Sequence, residues 1–242
     1  MQRNRKGAYS PRLECWRVVL ACAIALAIVP IGATVAWAQS TMFFADVFSS
    51  DVLSELWYWE REDPAMWSLT ANPGHLRIMT QEGTLWGDGT APRNLLLTGI
   101  SSSSDFQIDV RLIFQPLENF HEAGIAIYED SSNYVLLGRA FCGHEIQGCV
   151  GNGVYVDHEY RGEMQDDPAP IPWQADEAYL RVQKQGTTYT FFVSDDGESW
   201  TQMGAVYGFP LVPTAVGLYA YSEFDIDSIP ADFDYFRISP LH

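Results

Sequence analysis

Basic residues are scarce in this chain. Of its 242 residues only 14 are Lys or Arg, against 31 Asp or Glu. The first 38 hold five of the basic residues and one of the acidic, so residues 39–242 keep nine and 30, a net charge of −21, with Lys184 their one lysine. Such a surface repels phosphate backbones and anionic headgroups, which excludes nucleic acid as a partner. The excess carboxylates keep an exported protein soluble and offer oxygen ligands to a hard cation such as calcium. Cysteine is equally sparse. Cys15 and Cys22 fall in the first 38 residues, and Cys142 and Cys149 bracket a short Gly-bounded loop. A local disulfide is the expectation in an oxidising compartment; a metal site with His144 is the alternative, though zinc usually takes four ligands. Also missing are a linker, an internal repeat and an amphipathic helix of ordinary length. His75, His121, His144 and His158 lie on separate segments, and no serine sits in a nucleophile elbow. A hydrolytic triad is therefore not expected, and each histidine reads as a surface or loop residue.

What the chain does have begins with a leader. Arg3, Arg5, Lys6, Arg12 and Arg17 precede an apolar run from Val18 to Ile31, broken by Pro30 and Gly32, and Ala36-Trp37-Ala38 supplies small residues for a signal peptidase. Residues 1–38 are expected to be a signal peptide and 39–242 a secreted domain. The alternative is an uncleaved anchor over Val18 to Ala38, which also exports the domain and is the only route to a membrane.

After residue 38 short strand-like runs recur. Phe106, Ile108, Val110 and Leu112 alternate along Asp105 to Phe114. Ala123 to Tyr128 and Tyr134 to Leu137 flank one hairpin loop, and Ala178 to Gln183 and Tyr189 to Val193 another. Ala215 to Tyr221 and Phe233 to Ile238 close the chain. With Phe43 to Phe48 this makes about a dozen strands, the pattern of an all-β, two-sheet antiparallel sandwich whose first and last strands lie close together. Ser194 to Trp200 reads as a hairpin turn with Gly197 at positive φ; Trp67 and Trp200 are expected in the core.

The run Trp57-x-Trp59-x-Arg61-Glu62-Asp63-Pro64-x-x-Trp67-Ser68-Leu69, followed by Pro73-Gly74-x-Leu76-Arg77-Ile78, carries a family resemblance. Further matches follow in order: Asn94 to Leu97, Ala123 to Tyr128, Asn133 to Val135, Leu180 to Val182, Ser194 to Thr201, and Ala231 to Phe236. Together they resemble the concanavalin A-like β-sandwich at the C-terminus of family 43 β-xylosidases and α-arabinofuranosidases, in the same fold neighbourhood as laminin-G-like jelly rolls. In those enzymes the sandwich follows a five-bladed propeller that holds the catalytic acids. Here a leader-like segment precedes it, so hydrolase activity is not expected to carry over.

The resemblance implies a non-catalytic, lectin-like carbohydrate-binding module for a plant-type polysaccharide such as xylan or arabinan, expected to be a monomer. Trp86 and Phe120 sit in short polar loops where an exposed ring is costly unless used; with Tyr155 and Arg139 they are the candidate sugar contacts. Tyr134 and Arg139 are five apart and must face opposite sides of a regular strand. Asp46, Asp232 and Asp234 are the candidate calcium ligands if the terminal strands pair. Two rivals stand beside this reading. One is a glycoside hydrolase, with Glu223, Asp225 and Asp227 as the nearest carboxylate set, expected instead to be an acidic loop. The other is an extracellular adhesion or structural domain, which a flat apolar patch would favour.

Overall fold

The computed structural model describes residues 43–87 and 89–241. The leader expected over residues 1–38, with Cys15 and Cys22, lies outside them. Sixteen strands follow one another without a helix among the described residues. The first eight are β1 (Phe44–Asp46), β2 (Tyr58–Glu60), β3 (Trp67–Ser68), β4 (Leu76–Met79), β5 (Leu95–Gly99), β6 (Phe106–Phe114), β7 (His121–Asp130) and β8 (Asn133–Cys142). The rest are β9 (Gly151–Tyr160), β10 (Glu163–Met164), β11 (Ile171–Pro172), β12 (Glu177–Gln185), β13 (Thr188–Ser194), β14 (Thr201–Val206), β15 (Ala215–Ser222) and β16 (Pro230–Pro240). They form two antiparallel sheets. One runs β14-β13-β12-β6-β16-β4-β3, with β1 also on β16; the other runs β10-β9-β8-β7-β15-β5-β2, with β11 also on β9. The expected sandwich is what forms, and its first and last strands pair, Phe44 opposite Ile238.

The two sheets bury themselves differently, and the difference places the site. In the first sheet β6 alternates strictly: Phe106, Ile108, Val110, Leu112 and Phe114 point inward while the residues between them are half-exposed. A bulge between Phe233 and Tyr235 lets both Phe233 and Phe236 of β16 enter the core. The outer face of this sheet carries ion pairs, Arg77–Asp232, Arg111–Glu177, Arg111–Asp234 and Arg181–Asp109. In the second sheet β7, β8 and β15 are buried almost residue by residue. Ile125, Ile127, Val135, Leu137, Val216 and Leu218 join the inter-sheet core. Their neighbours Ala126, Tyr128, Tyr134, Leu136, Tyr219 and Tyr221 form a second apolar cluster with Leu85 on the opposite face. That face is covered by loops, and between the loops it opens into a cavity.

Trp57, not Trp67 or Trp200, is the buried tryptophan of the inter-sheet core; it packs edge-on against Phe44 and Phe236. Trp67 is half-buried, its ring 5.0 Å from Trp59. Trp200 is also half-buried, because it lies on the sheet surface beneath the Arg181 guanidinium at 3.8 Å. Gly197 takes φ of 74° in the turn before it, as the sequence requires.

Candidate functional site

The cavity on the outer face of the second sheet has a volume of about 880 Å³. Its floor follows from strand register. Tyr219 of β15 pairs with Gly124 of β7, Gly124 with Gly138 of β8, and Gly138 with Tyr155 of β9. One row thus carries two tyrosines separated by two glycines. A side chain at Gly138 would collide with the Tyr219 hydroxyl and the Ala123 carbonyl, and one at Gly124 with the Leu137 carbonyl. Only glycine lets the tyrosines lie down over the sheet and leaves depth above it.

Beside this row stand two carboxylates. Glu122 is opposite Tyr221 on β7, and Asp157 is opposite Leu136 on β9. The two carboxyls lie close enough to shift each other's titration, and Glu122 also accepts from the Tyr219 hydroxyl at 3.2 Å. Burial raises both carboxyls, and each is raised further by charge nearby, Asp157 by Glu122 and Glu122 by Asp167. Asp157 lies well above the usual carboxylate range, so the pair resists carrying two negative charges at once. Burial and the same carboxylate push the Tyr219 and Tyr221 hydroxyls up, so they act as donors throughout the ordinary pH range. A third acid, Asp167, enters the wall from the segment before β11; its carboxyl, raised by burial, is held by Nδ1 of His158. Glu223 stands at the rim.

Three of the four expected sugar contacts meet here. Trp86, Phe120 and Tyr155 line this cavity although they come from three separate segments. Trp86 is 45% exposed in the loop after Leu85. Phe120 has φ of 66°, strained for a side chain of its size. The strain is held by Phe120 N donating to Phe141 O at 2.8 Å and Glu223 N donating to Phe120 O at 3.3 Å, and the ring meets Phe224 at 5.7 Å. The Tyr155 hydroxyl is fixed by Gly151 O and Val150 N, so its ring and not its oxygen is what the cavity sees. The remaining wall is the loop closed by the Cys142–Cys149 disulfide, which presents Ile146 and Gln147.

Arg139 is a correction. As its five-residue offset from Tyr134 requires, it faces the opposite side of β8, where it is 1% exposed. Its guanidinium donates to the carbonyls of Gly153, Trp173 and Ala175 at 2.9–3.1 Å. A side chain so occupied between the sheets cannot touch a ligand in the cavity. Two histidines also differ from expectation. His121 is fully buried, with Nε2 donating to Asp227 O at 2.8 Å and Nδ1 accepting from Glu118 N. His158 is buried against Phe209.

The three aspartates considered for calcium do not gather. Asp46 accepts from Phe48 N and Trp57 Nε1, both at 2.9 Å. Asp232 accepts a two-pronged pair from Arg77 and a third bond from Asn72. Asp234 pairs with Arg111. With their oxygens turned to these donors they do not fit a calcium shell, and among the described residues no group of three or more His, Cys, Asp or Glu is placed to hold a metal. Glu223, Asp225 and Asp227 lie in a loop between β15 and β16 rather than alternating on a strand.

Sequence reasoning missed Glu122, Asp157 and Asp167. The available signal was glycine at alternate outward positions, Gly124 and Gly138, in register with tyrosines. That pattern marks a strand face where something other than side chains fills the space.

Comparison with known proteins agrees with this architecture. A curated relative from Escherichia coli K12, named "Putative beta-xylosidase", is 27% identical over 196 residues, which are 74% of this chain and 34% of the relative. The chain therefore spans about a third of the length of the curated relative it matches. A GH43 protein of Bacillus licheniformis superposes with a TM-score of 0.71 at 22% identity, over 81% of this chain and 39% of its own. The xylan β-1,4-xylosidase of Bacillus halodurans gives 0.66 at 25% identity, over 81% and 38%. Residues 45–239 match the family model of the β-xylosidase C-terminal concanavalin A-like domain, and the chain belongs to that family.

Proposed function

We propose that this domain is an exported, non-catalytic carbohydrate-binding module for a plant-type polysaccharide such as xylan or arabinan. One observation carries the reading: Trp86, Phe120 and Tyr155 converge with Glu122 and Asp157 on one cavity. Aromatic rings supply flat apolar faces against which a sugar ring stacks, and carboxylates accept bonds from its hydroxyls. Membership in a family named for β-xylosidases supports a carbohydrate ligand and leaves its identity to experiment.

The geometry favours binding over hydrolysis. Glycosidic cleavage by paired carboxylates needs them about 5–5.5 Å apart for retention, or about 6.5–9.5 Å for inversion, on either side of the bond. Glu122 and Asp157 interact with each other, and Glu122 also with the Tyr219 hydroxyl, an arrangement that favours holding sugar hydroxyls over flanking a glycosidic bond. A flat apolar patch, the mark of an adhesion domain, is not what this face presents.

The test is calorimetric titration of the purified protein with xylo-, arabino- and β-gluco-oligosaccharides, with reducing ends assayed in the same samples. Binding without new reducing ends is expected. Trp86→Ala and Phe120→Ala should each weaken it roughly tenfold, the loss of about 1 kcal/mol or slightly more of ring contact, with melting temperature nearly unchanged for Trp86→Ala. Reducing ends that grow with enzyme concentration and vanish in Glu122→Gln would instead establish a hydrolase.

A further inference from the structure

We propose that the cavity is a charge filter: it admits neutral glycan units and rejects units that carry a carboxylate or a sulfate. The inference rests on the carbohydrate reading above and names the substrate class within it. Four carboxylates reach the cavity, Glu122, Asp157, Asp167 and Glu223, and no Lys or Arg is among the described residues that line it. The arginine whose strand crosses the floor, Arg139, faces the other way, with both terminal nitrogens donating to backbone carbonyls. On the first sheet's outer face, Arg77, Arg111 and Arg181 are all paired with carboxylates.

The consequence follows from donor and acceptor inventories. A neutral sugar brings hydroxyls, each able to donate to an ionised carboxylate. The carboxylate of a uronate, or a sulfate in place of a hydroxyl, brings only acceptors and a negative charge. Recognition of such a group elsewhere uses a forked arginine, a lysine or a row of backbone N–H donors. Here an acidic ligand group would find neutral donors such as the Tyr221 hydroxyl but no cation among the described residues. It would meet the ionised members of the carboxylate set at close range across a low-dielectric cavity, where repulsion between like charges is far stronger than in water. The aromatic walls do not offset this, because the face of a ring is itself negative. An arabinose-decorated xylan would pass the filter; a glucuronic-acid-decorated one would be turned away at the units that enter the cavity.

The test compares two ligands on one backbone, xylotetraose and the same xylotetraose bearing a glucuronic acid branch, by calorimetry at pH 7. The acidic ligand should bind at least roughly tenfold more weakly, as a like charge in a poorly screened site requires. Glu122→Gln and, at the half-exposed rim, Glu223→Gln should each shrink that ratio while keeping binding of the neutral ligand measurable. The rim variant leaves the buried pair intact, so the test does not depend on refolding of the floor. Equal affinity for the two ligands, or preference for the acidic one, overturns the filter and leaves the carbohydrate reading standing. Absence of binding by xylotetraose and by neutral arabinan and β-glucan oligomers overturns the carbohydrate reading, and the filter with it.

Discussion

Arg139 illustrates how strongly burial constrains a single side chain. It sits between the sheets, and burial pushes its guanidinium down to about 10, still charged at neutral pH. The charge is tolerated because three backbone carbonyls accept from its fork, although its Nε has no partner. Replacing it with Met fills the volume and strands those carbonyls, a loss of about 2–3 kcal/mol. For a domain of this size the melting temperature should fall by roughly 4–10 °C. Arg139→Lys should recover only part of this, since one ammonium cannot reach three carbonyls in a fork. Glycan affinity of the folded variants should match the parent; a drop in affinity with melting temperature intact would make Arg139 a ligand contact and contradict the geometry. Residues of this kind also mark how far the sequence could be read. Trp86 and Phe120 were legible because a large ring in a short polar loop has no local reason to be there. Glu122 and Asp157 were not, because β7 and the strands beside it are covered on both faces. Alternation then vanishes, and a buried acid looks like any other polar position in a strand.

At the scale of elements the same contrast recurs. β6, β12, β13 and β16 keep one face on solvent, so their hydrophobic period of two is visible and their course was readable. β10, β11 and β14 were not anticipated, since they are short or largely exposed edge segments held by pairing with β9 and β13 rather than by apolar content. The loop from Cys142 to Cys149 is an element of another sort, tied at its base by the disulfide and by Asn119 Oδ1 accepting from Gly143 N at 2.6 Å. It joins β8 to β9 at the sheet edge and adds little to the core, yet it forms a wall of the cavity. A disulfide closing so short a loop stabilises by about 2–3 kcal/mol where the loop folds with the whole. A peripheral loop can open locally instead. The double variant Cys142→Ser/Cys149→Ser should therefore lose ligand affinity several-fold while its melting temperature falls by no more than a few degrees. Hydrogen exchange should localise the new opening to residues 143–150. A large fall in melting temperature with unchanged affinity would show that the loop serves the fold and not the site.

For the whole molecule the buried acids set how stability depends on pH. Glu122 and Asp157 titrate above the ordinary values of 4.5 and 3.8, because burial disfavours their ionised forms. Between those ordinary values and the raised ones, the folded chain holds protons that the unfolded chain releases. Stability contributed by this pair is thus fully present below about pH 4 and is lost as pH rises through the folded values. Asp196 works in the opposite sense. Backbone N–H groups of Ser199 and Glu198 hold it down to about 2, so what it contributes is present above its ordinary 3.8 and is lost only as pH falls towards 2. Glu177, lowered by Arg111, acts in the same direction as Asp196. The net charge of −21 beyond residue 38 adds self-repulsion that grows as carboxylates ionise. These effects place the stability maximum on the acid side of neutrality. Calorimetric melting in low-salt buffers should peak between roughly pH 4 and 5.5 and decline by pH 8. Glu122→Gln removes one member of the pair while keeping an acceptor for Tyr219, so its decline should be shallower and its melting temperature at pH 8 should exceed that of the parent by about 2–4 °C. A parent melting temperature that rises steadily from pH 5 to pH 8 would mean that the pair ionises freely, and that the cavity floor is wetter than its burial implies.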